Sequence, residues 1–102
     1  MSQGSETIMD TPHASMSELT SGTHTPAPGC RALSFHCYST VGGTLTIDHL
    51  VAGEFRAIDS AVTVTQNELA NVIVQYRMDS CRARFTPSST DAGLTSIDVE
   101  ES

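Results

Sequence analysis

A chain of 102 residues with twelve acids against five bases has room for one domain and a formal charge of −7. All five bases are arginine, and the absence of lysine excludes Schiff-base catalysis on a lysine, a Walker-A phosphate loop and a kinase-type catalytic lysine. The lack of tryptophan and the 5% aromatic content argue against a stacking platform for single-stranded nucleic acid. The charge is unevenly placed. Glu6, Asp10 and Glu18 stand alone before residue 30, the middle is neutral, and Asp91, Asp98, Glu100 and Glu101 close the chain. That pattern argues against nucleic acid or an anionic membrane as partner, since both need clustered cations. Arg77, Arg82 and Arg84 amount to a small basic spot read as a solvated rim.

Residues 1–29 are dominated by Ser, Thr, Pro, Gly and Ala, and read as a disordered acidic tail. Thr7 and Ser15 precede acids by three residues, and Thr11 and Thr25 precede prolines, as kinase sites do; the plainer reading is an unmodified polar tail. His13 and His24 are expected to be solvated there. The N-terminus has neither a basic region nor an apolar run of signal-peptide type. Together with the odd cysteine count (Cys30, Cys37, Cys81), this gives the expectation of a cytoplasmic protein, or a nuclear or particle-associated one, with reduced thiols.

A folded domain is expected over residues 30–86. Arg31–Thr40 alternates Leu33, Phe35 and Cys37 against Ser34, His36 and Tyr38, a strand period. Gly42-Gly43 suits a two-residue turn and Thr44–Asp48 alternates again, so residues 31–48 read as a β-hairpin. His49–Ser60 is ambiguous, with a bend at Gly53 and one or two further strands around it.

Val62–Val64 then leads into Thr65-Gln66-Asn67-Glu68, which has the form of a helix capping box, with Val64 and Leu69 as a hydrophobic staple. Leu69, Val72, Ile73 and Tyr76 fall on one helical face, so a capped amphipathic helix is predicted over about 66–78. Val72, Val74, Tyr76 and Met78 also alternate, which is the rival, strand reading. Cys81–Thr86 reads as a last strand, and residues 87–102 as a second disordered acidic tail. The expected fold is therefore α+β: a small antiparallel sheet, the 31–48 hairpin plus one to three short strands, with one helix. The alternative is an all-β sandwich-like fragment. Either way, so short a domain buries only about 60% of its unfolded surface. Its apolar content suggests one face packed against a partner.

Four constellations carry candidate chemistry. A two-residue turn at Gly42-Gly43 would set His36 opposite His49, close enough to share a metal or to repel when protonated; no further ligands can be named, and two ordinary polar-face histidines are the plainer reading. Ala57-Ile58-Asp59-Ser60-Ala61-Val62 resembles the catalytic turn of retroviral-type aspartic proteases, which implies a dimer sharing a proton between two aspartates, with Asp59 as the catalytic one. The sequence departs from that family: its Asp-Thr/Ser-Gly turn has Ala61 at the glycine, Arg56 stands at an apolar position, and the later Ile-Leu-Gly segment is missing. Cys37 and Cys81 occupy strand-like apolar positions and read as buried small hydrophobes. Ile97-Asp98-Val99-Glu100-Glu101 has the form of an edge strand added to a partner such as a small modifier protein, against the plainer reading of an inert tail.

No catalytic residue, metal ligand or cofactor is named from these patterns, and no small-molecule ligand is identifiable. The functional expectation is a non-enzymatic interaction or assembly protein, binding a protein partner or further copies of itself. Its contact residues are Asn67, Asn71 and Gln75, the uncharged outer side of the predicted helix. The alternatives are a viral or particle structural subunit and, last, the Asp59 protease.

Overall fold

The computed structural model describes residues 5–58, 60–74 and 80–102. Nine strands follow one another: β1 (Ser5–His13), β2 (Leu19–Thr20), β3 (Leu33–Ser39), β4 (Gly43–Val51), β5 (Glu54–Ala57), β6 (Val62–Val64), β7 (Leu69–Val74), β8 (Cys81–Pro87) and β9 (Gly93–Glu101). They form two antiparallel sheets. Sheet A has the order β1-β9-β3-β7; sheet B runs β2-β8-β4-β5, with β6 also on β4. The α+β expectation is thereby corrected: among the described residues there is no helix, and the all-β alternative fits.

Period-2 alternation builds both layers. Leu33, Phe35 and Cys37 of β3 and Ile97 and Val99 of β9 point inward from sheet A. Leu45 and Ile47 of β4 and Cys81, Ala83 and Phe85 of β8 meet them from sheet B. Each fully buried Phe or Leu in that core contributes about 1.5–3 kcal/mol.

The predicted helix fails on burial. Leu69, Val72 and Ile73 should share a face, but Leu69 and Ile73 are exposed while Val72 is partly covered, which is strand alternation. The rival periodicity wins because Val72, Ile73 and Val74 are β-branched and β3 offers a ladder from Leu33↔Val74 to Tyr38↔Leu69. The supposed cap is a turn: Glu68 N–H donates to the Thr65 carbonyl at 3.1 Å, and Asn67 takes a left-handed φ of 61°. It carries the chain from β6 in sheet B to β7 in sheet A.

The 31–48 hairpin is corrected in the same way. β3 and β4 are strands, but they lie in different sheets, so Gly42-Gly43 forms a crossing between layers. Gly42 has a φ of 77°, and a Cβ on Gly43 would lie 2.2 Å from the Thr86 carbonyl oxygen, so both positions need glycine. The tight hairpin comes later. Val51 pairs with Glu54 across Ala52 and Gly53, both left-handed at 53° and 84°, as a type I′ turn requires.

Residues 5–13 and 93–101, tail-like in composition, form β1 and β9. β9 lies between β1 and β3, and its Thr95, Ile97 and Val99 side chains are fully buried. A bulge between Thr7 and Met9 turns both Ile8 and Met9 into the core, and Pro12 sits on the sheet edge, where its missing N–H costs least.

Candidate functional site: the outer face and free edge of sheet A

Ladder register fixes which side chains share the solvent face of sheet A. One row runs Thr7, Asp98, His36, Asn71, and a second runs Asp10, Ser96, Tyr38, Leu69. Asp98, Glu100 and Asp10 make the β9/β1 side acidic, while Tyr38, Leu69, Ile73 and Leu94 are exposed apolar or aromatic residues toward β7 and the strand ends. Thr7 donates to Asp98 at 2.7 Å, His36 Nε2 lies 3.4 Å from Glu100 Oε1, and the Tyr38 hydroxyl donates to Asn67 Oδ1 at 3.2 Å.

The four-stranded layer ends on β1 and β7, and these edges differ. On β1 the Gly22 N–H takes the Ile8 carbonyl at 2.9 Å, and Glu6 and Asp10 place charge on the strand. β7, Leu-Ala-Asn-Val-Ile-Val, has no charge, and among the described residues no strand pairs with its outer side. The edges of sheet B are blunt: β2 has two residues, β6 three, and β5 carries Glu54 and Arg56. β7 is thus the one long strand among these edges that offers bare backbone without charge.

Of the residues expected to mediate contact, Asn67 lies in the turn before β7 and is exposed, and Asn71 is exposed at the middle of β7. Gln75 lies outside the described residues, as do Asp59 and Arg77. Leu69 and Ile73, read as core-facing on the predicted helix, are surface residues. The period-2 pattern of Leu69–Val74 was the signal that marks Leu69 and Ile73.

The polar clusters away from this face tie strands together. His24, 6% exposed, places Nδ1 2.5 Å from Glu6 Oε1 and Nε2 2.7 Å from Glu101 Oε2. An ionised carboxylate only accepts, so each of these contacts calls for an N–H on the ring nitrogen that makes it. The expectation of a solvated His24 is overturned by this burial. Glu101 also accepts the Ala27 N–H at 3.1 Å, and His24 exchanges backbone hydrogen bonds with Cys81. His13 Nε2 lies 2.7 Å from Thr95 Oγ1, which donates to Ser39 Oγ at 3.0 Å; Nδ1 is buried with no partner among the described residues. Thr95 and Ser39 are fully buried, so this run of hydrogen bonds ties β1, β9 and β3 together inside the sandwich.

His36 and His49 do not meet: His36 pairs with Asn71 and Asp98 in sheet A, His49 with Arg56 and Cys81 in sheet B. Among the described residues no cluster of three or more His, Cys, Asp or Glu is placed to hold a metal. Arg82 and Arg84 are taken up by Asp48, and Arg82 also lies 4.2 Å over the Phe55 ring. Burial pushes the Cys37 thiol up to about 12, so it stays protonated and unreactive. No helix among the described residues is long and apolar enough to cross a membrane.

No family model and no curated protein matches the sequence. The fold, however, resembles solved structures. The exported protein XepA of PBSX superposes with a TM-score of 0.76 at 13% identity over 96% of this chain, and the chain spans 36% of that longer protein. A subunit of Bacillus endospore appendages, a family of disulfide-linked pili, superposes with a TM-score of 0.52 at 15% identity, covering 99% of this chain and 87% of that one. At such identity the likeness is one of fold. It removes the cytoplasmic expectation: an exported protein and an endospore appendage carry this fold, and the missing signal-peptide pattern was the main ground for placing the chain in the cytoplasm.

Proposed function

We propose that this chain is a non-enzymatic structural module of an exported assembly, and that copies of it associate through the uncharged edge and outer face of β7. The observation that carries the reading is the exposure of Leu69 (64%) and Ile73 (57%) on an edge strand with no charge and no pairing strand among the described residues. Soluble proteins normally protect such edges with charge, proline or brevity, as sheet B does here. An edge left bare is a template for another chain. Support also comes from the fold's company, an exported protein and a pilus subunit. Light scattering across a concentration series tests the reading. Association that rises with concentration and is abolished by Ile73→Lys is expected; a monomer at every concentration, or association indifferent to Ile73→Lys and Leu69→Lys, overturns it.

A further inference from the structure

Resting on that reading, we infer that β7 pairs antiparallel with β7 of a second copy about a two-fold axis through Asn71. Three observations favour this occupant over β1 of the next copy or a face-to-face stack. First, the β1 edge is engaged at its bulge by the Gly22 N–H and carries Glu6 and Asp10, whereas Leu69–Val74 is charge-free. Copies that each carry −7 meet with least repulsion along such a strip. Second, the strip is self-complementary. Leu69 and Ile73, the two exposed apolar side chains of β7, lie two residues either side of Asn71. The two-fold sets Leu69 against Ile73 of the second copy, twice over. It sets Asn71 against Asn71, where the amides donate and accept reciprocally. Third, the opposite side of the strand obeys the same symmetry. Ala70 and Val72, both partly buried against the core, fall opposite each other, so the apolar layer continues across the junction.

The product is one continuous sheet in the order β1-β9-β3-β7-β7-β3-β9-β1. With the axis at Asn71 the new ladder spans residues 69–73 of each β7, five residues only, so the pair dissociates on dilution.

Site-directed spin labelling of the full chain tests the arrangement. Leu69→Cys, Asn71→Cys and Ile73→Cys are each labelled in a Cys30→Ser background, leaving the buried Cys37 and Cys81 in place. Label–label coupling should be strongest at position 71, where the backbones lie about 5 Å apart, and weak at 69 and 73, where four residues of offset separate them by about 13 Å. Amide exchange on the unlabelled chain is the label-free check: alternate β7 amides should gain protection as concentration rises, because only strand pairing uses the outer N–H groups. An oligomer sensitive to Ile73→Lys but with coupling strongest at 69 or 73, or with no gain in β7 protection, overturns the two-fold pairing and leaves the assembly reading standing. A monomer throughout overturns both.

Discussion

Arg84 grips Asp48 side-on, Nε to Oδ2 at 2.7 Å and Nη2 to Oδ1 at 2.9 Å, while Arg82 Nε adds a bond to Oδ2 at 3.0 Å. The carboxylate faces outward on β4, yet it is only 1% exposed because the two arginines of β8 cover it. Burial alone would raise its pKa; the hydrogen bonds and charges of Arg84 and Arg82 together outweigh that and hold it below the usual carboxylate range. A carboxyl depressed on folding contributes stability above its unfolded value, about 3.9, that is lost as pH falls through the folded one. Thermal denaturation should therefore show stability falling from about pH 4 downward, and Asp48→Asn should flatten that fall. At neutral pH Asp48→Ala should cost about 1–3 kcal/mol, since both arginines keep partial access to water.

The His24 clasp should be asymmetric. Glu101 is buried and accepts a backbone N–H as well as the imidazole, whereas Glu6 is half-exposed. Glu101→Ala is expected to cost about 1–3 kcal/mol in chemical denaturation, and Glu6→Ala no more than about 1 kcal/mol. Equal effects would show that the buried side of the clasp contributes nothing special.

The C-terminal strand should behave as core. Ile97→Ala, at a fully buried position of β9, is expected to cost about 2–5 kcal/mol, while Leu94→Ala, exposed on the same strand, should stay within about 0.5 kcal/mol. Urea midpoints of the two variants read the difference.

Thiol labelling separates the cysteines. Cys30 is partly exposed, its Sγ 3.3 Å from the Ala32 carbonyl, whereas Cys37 and Cys81 have no exposed surface. A thiol reagent counted by mass should modify Cys30 in the native protein and all three only after unfolding. Rapid native modification of Cys37 would contradict the core packing.

Gly43→Ala should destabilise by about 1–3 kcal/mol, because the added methyl meets backbone at Thr86 that cannot swing aside. Gly22→Ala, whose nearest contact would be an ordinary 3.7 Å, is the control; a Tm drop in Gly43→Ala alone checks the close approach.

Much of the strand content was legible in the sequence. Leu33, Phe35 and Cys37, then Leu45 and Ile47, then Cys81, Ala83 and Phe85, alternate in the chain as they do in the sheets. The candidate site was legible only in part. Asn67 and Asn71 were chosen as the outer side of a helix, and they lie instead in a turn and on a strand, with Leu69 and Ile73 exposed beside them.

What the sequence by itself determined is which side of each strand is apolar, because a period of two needs no knowledge of the partner. It could not say which strand pairs with which. Gly42-Gly43 can close a hairpin or cross between layers, because a glycine with positive φ serves either. Thr65–Glu68 can cap a helix or turn into a strand, because the hydrogen bond from the Glu68 N–H to Thr65 is local in either case. Only the tertiary structure decided these points. β3 finds β7 and β9, distant in the chain, and the burial they gain together outweighs the local helical preference. The same long-range pairing draws polar, tail-like residues 93–101 into the centre of a sheet, where three inward side chains suffice.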